Sequence, residues 1–238
     1  MPNEKRIPFS QRLKGALMRP FRRSSSAPVV AGPAKPVVAA PAKSTARSKL
    51  DTRKWTPELL KQLEWRRFEE LCAAYYETLG FKTRIAHSGT EEGVDIHLSA
   101  AGSETASIIV QCRAWNAYRV GVKAVRELRG AMSAAKVGQG VLVTSGRFTQ
   151  EAVELAGKEN IQLIDGAGLL EKFGALLPEK ALALLKFATQ GDYLTPTCPR
   201  CSIKMIPRNS TKGGRKFWGC RNYPECKQTF SGTINAPA

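Results

Sequence analysis

Three short runs limit what this chain can fold into: Ile108-Ile109-Val110, Val141-Leu142-Val143 and Ile161-Gln162-Leu163-Ile164. Runs this short and this apolar, separated by helical patterns, are strands covered on both faces, hence parallel neighbours joined by helices. The helical patterns are present. Residues 122–136 place Val122, Val125, Leu128, Met132 and Ala135 on one face, and a second helix covers 150–158 behind Thr149 as its cap. Upstream, Thr56-Pro57 reads as an N-cap with proline in the first turn. Trp65, Phe68, Leu71, Cys72, Tyr75, Tyr76 and Leu79 then recur at helical spacing until Gly80 stops the helix. Strand-like segments follow at 81–86, 94–99 and 106–112, and helical patterns return at 167–173 and 179–188. The order is helix, three strands, helix, strand, helix, strand, helix, which is an α/β domain.

Charge divides the 238 residues into three. Residues 1–54 hold 13 Lys+Arg against 2 acids, residues 55–190 hold 16 against 16, and residues 191–238 hold 8 against 2. A neutral centre between basic ends predicts a polyanionic partner, nucleic acid first and an anionic membrane surface second. The segment 1–54 is rich in Pro, Ala and Ser and poor in large apolar residues, so it is expected to be a disordered tail. Within it, 9–21 has the pattern of a basic amphipathic helix, but a solvated tail without membrane contact is the preferred reading. No run is long enough for a transmembrane helix. No apolar signal core is present, and a reducing cytoplasm is therefore expected, with the six cysteines as metal ligands or buried thiols.

Four of those cysteines form two close pairs, Cys198/Cys201 and Cys220/Cys226, separated by 18 residues. Such pairs bring four thiolates to one tetrahedral zinc. The second gap, five residues, is wider than usual. Cys72 and Cys112 lie in apolar runs and read as core. Basic and aromatic residues interleave around the pairs: Lys204, Arg208, Lys212, Arg215, Lys216, Trp218, Arg221 and Tyr223. Cations of this kind track phosphates and exposed rings stack on bases; for Trp218 and Tyr223 the alternative is that the rings shield the zinc site.

A second cluster sits on two strands. Gly93-Val94-Asp95-Ile96 carries a carboxylate near a strand start, and Gln111-Cys112-Arg113 ends the next strand. Side chains two residues apart share a face, so Gln111 and Arg113 point together toward a place Asp95 can reach. An acid, a second oxygen donor and a cation around one point suit metal-dependent phosphodiester hydrolysis. His97 shares the strand face of Asp95, while His87, Glu91 and Glu92 occupy the preceding loop.

The surroundings carry two resemblances. Cys198-Pro199-x-Cys201, Phe217-Trp218-Gly219-Cys220 and Asn222-Tyr223-Pro224-Glu225-Cys226 resemble the C4 zinc ribbon of bacterial type I topoisomerases, over about 197–230. Trp65-Arg66-Arg67-Phe68-Glu69-Glu70-Leu71, Leu79-Gly80-Phe81, Gly93-Val94-Asp95-Ile96, Val110-Gln111-Cys112, Val125-Arg126-Glu127-Leu128-Arg129-Gly130, Val143-Thr144-Ser145-Gly146-Arg147-Phe148-Thr149 and Leu163-Ile164-Asp165-Gly166 resemble the Mrr-type restriction endonucleases of the PD-(D/E)xK nuclease superfamily, over about 60–175. The second resemblance implies an α-β-β-β-α-β core with a mixed sheet. It implies Asp95 as principal magnesium ligand, Gln111 as second ligand, the Cys112 carbonyl completing the shell and Glu69 acting through water. It also implies a catalytic cation at Arg113, where the family carries lysine. Arginine can serve electrostatically but stays protonated, so it cannot act as a base. The nearest lysine in sequence is Lys123.

The resulting expectation is a magnesium-dependent DNA endonuclease at 55–190, a linker at 191–196, a DNA-binding zinc ribbon at 197–231 and a tail at 232–238. Double-strand cleavage would favour a homodimer. The competing expectation is a catalytically inactive nuclease fold that binds DNA or serves as a scaffold. A third, an RNA-processing or topoisomerase-associated protein, rests on the ribbon alone.

Overall fold

The helix expected from Thr56 to Gly80 is two helices. Thr56 caps α1 (Pro57–Gln62), its hydroxyl accepting the Leu59 N–H at 3.1 Å. The chain breaks at Leu63-Glu64, and α2 (Trp65–Thr78) begins with the Glu64 carboxylate as its cap. It ends at Gly80, whose φ of +90° is open to glycine at little cost. The computed structural model describes residues 54–86, 93–103, 105–114, 119–210 and 216–231. The basic tail with its helical pattern, His87, Glu91, Glu92, Lys212, Arg215 and the segment 232–238 lie outside these residues.

Then come β1 (Lys82–Ile85), β2 (Ile96–Ser99), β3 (Ala106–Arg113), β4 (Arg119–Val120), α3 (Val122–Ala134), β5 (Gln139–Thr144), β6 (Arg147–Phe148), α4 (Gln150–Ala156), β7 (Ile161–Ile164), α5 (Gly166–Gly174) and α6 (Pro178–Thr189). The central sheet has the order β1-β2-β3-β5-β7. The pairs β1–β2 and β2–β3 are antiparallel, while β3–β5 and β5–β7 are parallel, which makes the sheet mixed. The apolar runs lie in its centre, with Ile109, Val110, Leu142 and Ile164 buried.

One face of the sheet packs on α3 and α4 through Val125, Leu128, Met132, Ala152 and Ala156. Val122 is only half-buried, and Ala135, at the C-cap beyond the end of α3, is exposed. The helix α2 buries Phe68, Leu71, Cys72, Tyr75 and Tyr76, and Tyr75 meets Phe173 of α5 edge-on at 5.5 Å. β4 and β6 pair in parallel as a separate two-stranded ribbon that the sequence did not suggest.

The C-terminal module holds β8 (Ile206–Asn209), β9 (Lys216–Gly219) and β10 (Thr229–Phe230) in an antiparallel sheet of order β10-β9-β8. Its core is small: Cys198, Met205, Trp218, Cys220 and Cys226. The segment expected as a linker is packed instead. Tyr193 accepts the Glu64 N–H at 2.9 Å, and Thr195 and Thr197 are buried. Among the described residues, no helix is long and apolar enough to cross a membrane.

Candidate nuclease and zinc sites

The sheet places Asp95 one residue before β2, opposite the end of β3. Its N–H donates to Val110 O at 3.0 Å, and its Oδ2 accepts the Cys112 N–H at 2.6 Å. Within a strand, one residue's N–H and C=O point to the same side, so the Cys112 carbonyl opens toward the Asp95 side of β3. Gln111 is fully buried, and neither atom of its amide has a hydrogen-bond partner among the described residues. Gly93 lies over this amide. A Cβ there would come 3.1 Å from Gln111 Nε2, and the φ of +72° disfavours any side chain.

Glu69 reaches the same place from α2. It is buried, and its carboxyl hydrogen-bonds that of Asp95. Burial, first, and Asp95, second, push the Glu69 pKa up to about 9. Burial also raises Asp95, although the Cys112 N–H, then Arg113, act against it. Two buried carboxyls side by side cost more to ionise together, so Glu69 holds its proton at neutral pH, and a bound divalent cation would offset that cost. Arg66 approaches Glu69 at 3.9 Å, while Glu70 turns away to pair with Arg66 and Arg67.

This pair has a measurable consequence. Glu69 is protonated in the fold and ionised in the unfolded chain between pH 4.5 and about 9, so without divalent metal its contribution to stability falls as pH rises through that window. The expected result is a metal-free thermal midpoint that declines from pH 5 to 9 more steeply in wild type than in Glu69→Gln. Equal slopes would show that Glu69 is not held protonated.

Arg113 does not lie loose in the pocket. Its Nη2 donates to Glu127 Oε2 at 2.7 Å, and its carbonyl accepts the Thr144 hydroxyl at 2.8 Å. Lys123 is 89 % exposed and reaches Glu127 at 3.8 Å, so it shares Arg113's partner. His97 is half-buried in register with Ile109. Cys72 and Cys112 are buried core thiols, as expected; contact with Cys72, then burial, raises the Cys112 pKa.

In the C-terminal module the sulfurs of Cys198, Cys201, Cys220 and Cys226 all lie within 4.8 Å of one another, and those of Cys198 and Cys226 are 3.7 Å apart. Tetrahedral zinc with bonds of about 2.3 Å sets its sulfurs about 3.8 Å apart, so the cluster fits that ion. The Cys226 thiol is lowered to about 7, by the Gln228 N–H first.

Two residues expected to meet nucleic acid are engaged elsewhere. Trp218 is 1 % exposed in the ribbon core and offers no face for stacking, because a module this small needs its largest ring to cover the cysteines. Lys204 donates to Glu64 at 3.0 Å and to Thr195 O at 2.9 Å, which ties the ribbon to the sheet domain. Glu64, itself 2 % exposed, is the centre of that junction. It accepts from Arg66 N–H, Thr197 N–H, the Thr197 hydroxyl and Lys204, while the Trp65 indole donates to Thr197 O. Sequence reasoning missed Glu64, whose only signal was its place just before a strong amphipathic helix. Tyr223 remains 60 % exposed with the Arg208 guanidinium 5.3 Å from its ring, and Lys216 and Arg221 are exposed.

Residues 60–173 match the family model described as restriction endonuclease, of the Mrr catalytic type, and residues 195–232 match the topoisomerase DNA-binding C4 zinc finger. The chain thus joins a region that matches an Mrr-type restriction endonuclease domain to one that matches a topoisomerase-type C4 zinc ribbon. DNA topoisomerase 1 of Pyrococcus horikoshii is 32 % identical over 93 residues, covering 37 % of this chain and 13 % of that protein. Uncharacterized protein y4cE of Sinorhizobium fredii is 29 % identical over 101 residues, covering 42 % and 26 %. The chain thus spans at most about a quarter of the length of these relatives. Among solved structures, the restriction endonuclease MspJI in complex with a 27-mer oligonucleotide is similar at 17 % identity and a TM-score of 0.38, covering 67 % of this chain and 42 % of that one. The DNA modification-dependent restriction endonuclease AspBHI is similar at 22 % identity and 0.40, covering 62 % and 43 %.

Proposed function

We propose that the protein is a magnesium-dependent DNA endonuclease, with the zinc ribbon as a DNA-binding module. The observation that carries this reading is the buried amide of Gln111, without a partner among the described residues, one residue before Cys112, whose N–H binds the Asp95 carboxylate. An unsatisfied buried polar group costs about 1–3 kcal/mol, and a ligand offsets that cost. The donors are all oxygen: Asp95, Gln111 Oε1, the Cys112 carbonyl and, through water, Glu69. This set fits magnesium, which takes oxygen ligands and retains several waters. When bound, the ion supplies a Lewis acid and an acidified water. Asp95 and Gln111 would hold it, with Glu69 reaching it through water. Arg113 faces the negative charge that develops on the phosphate. It stays protonated, so its part is electrostatic. Cutting both strands calls for two copies on one duplex, and the unpaired cysteines suit the cytoplasm.

The alternative, a nuclease fold that binds DNA without cutting it, draws on the Arg113–Glu127 pair, which occupies the cation. Plasmid cleavage with and without magnesium separates the two. Under the proposal wild type nicks or linearises DNA, and Arg113→Lys changes the rate by less than about tenfold, as for exchange of one charge-assisted donor for another. An inactive wild type with an active Arg113→Lys would establish the alternative.

A further inference from the structure

The β4–β6 ribbon carries two pairs. Val120 and Phe148 face inward onto the core shared with Ile109 and Val125, while Arg119 and Arg147 are direct cross-strand neighbours and exposed. Alternation along a strand sends the arginines to the opposite side from the apolar pair. Like charges set directly opposite each other destabilise a strand pair. Neither arginine has an ion-pair partner within 4.0 Å among the described residues. Glu151 is the one carboxyl whose lowered pKa reflects Arg119, and it does so after its own backbone N–H and Thr149.

Position gives the arrangement a use. β3 and β5 are parallel, with Arg113 in register with Thr144, so both strands end at the same edge of the sheet. β4 follows the end of β3, and β6 follows that of β5 through Ser145 and Gly146. In open α/β sheets ligands bind beyond the carboxyl ends of the strands. Arg113, Arg119, Lys123 and Arg147 therefore all lie on segments at or just beyond the carboxyl edge of β3 and β5, the edge to which Cys112 brings Asp95, with Glu127 and Glu151 as the nearby acids, in a domain whose net charge is zero.

We propose that Arg119 and Arg147 form a clamp for the phosphate backbone of duplex DNA, positioning it at the Asp95–Gln111 site. This rests on the nuclease reading. The two guanidiniums, held in register by buried Val120 and half-buried Phe148, grip phosphate oxygens, and the bound phosphates remove the repulsion between them. The contact is to backbone and carries no sequence information.

The test uses the full chain in an Asp95→Ala background and measures affinity for a labelled 30-base-pair duplex over a salt series. Each phosphate contact contributes about −0.9 to the slope of log affinity against log salt, so Arg119→Ala/Arg147→Ala should flatten the slope by about 1.8. Affinity should fall about ten- to a hundredfold at low salt, and Arg119→Lys/Arg147→Lys should recover most of it. Lys158→Ala/Lys186→Ala, an equal change of charge with Lys158 at the amino edge of the sheet, should shift the slope much less. A slope unchanged in the arginine variant, or changed equally in the control, overturns the clamp. Failure of the lysine pair to restore binding does the same, by showing that the alanine effect was structural. The nuclease reading fails separately, if wild type with magnesium leaves plasmid intact while the duplex is still bound with the predicted slopes. Loss of duplex binding in the background protein itself overturns both.

Discussion

Asp95→Ala is expected to lower the rate of plasmid cleavage about a thousandfold or more, the upper range for removing one group that acts on charge developing in the transition state. Asp95 is the carboxylate to which the other elements converge. Cys112 donates to it from β3, Glu69 hydrogen-bonds it from α2, and Arg113 lowers its pKa from the end of β3. Without it, Gln111 and a largely protonated Glu69 are left to hold a cation. The folded state should tolerate the change, because the cost of freeing the Cys112 N–H is offset by relief of the contact between two buried carboxyls. Asp95→Asn retains an acceptor for that N–H and should match wild-type thermal stability within about 1 kcal/mol, the net worth of one hydrogen bond, while remaining inactive. Cleavage surviving either substitution in a folded protein would place the active site elsewhere.

Removing the zinc ligand Cys220, as Cys220→Ser, or treating wild type with a strong chelator, should unfold the C-terminal module. Three short strands around Met205 and Trp218 bury too little apolar surface to stand alone. Structural zinc in such a module contributes about 10–16 kcal/mol near neutral pH, which no other interaction there can replace. Purified wild type should carry about one zinc per chain and Cys220→Ser none. Emission from Trp218, now buried, should shift to the red as its ring meets water. The loss should spread to the sheet domain through Glu64, left at the α1–α2 junction without Thr197 and Lys204. Breaking such a pair on one side costs about 3 kcal/mol, so the midpoint of the remaining domain should fall by several degrees. A zinc-free wild type with a folded ribbon would refute the metal site. An unshifted sheet domain would refute the coupling.

The elements of the sheet domain were legible because each carries its own local signal. Thr56-Pro57, Gly80, Thr149 and the period of α3 are set by caps, backbone freedom and amphipathicity, which act over a few residues. The same holds for the four cysteines, whose spacing is a property of the chain. What the chain left hidden or open is each residue's environment where distant segments make it. Lys204 and Trp218 have the composition of a nucleic-acid surface, yet one is tied to Glu64 across 140 positions and the other fills the ribbon core. Neither fact has a local cause.

The sequence by itself determined the central strands and most of the helices between them, though not the break at Leu63-Glu64 or the β4–β6 ribbon, together with the cysteine spacing and the residues that resemble a nuclease site, because propensity, periodicity and spacing are written along the chain. Tertiary structure alone decided what those residues experience. It buries Gln111 without a partner among the described residues, sets Glu69 beside Asp95 so that burial and the neighbouring carboxylate keep it protonated, occupies Arg113 with Glu127 and sets Arg119 against Arg147. The physical reason is that desolvation, charge coupling and hydrogen-bond satisfaction depend on distances between segments far apart in sequence.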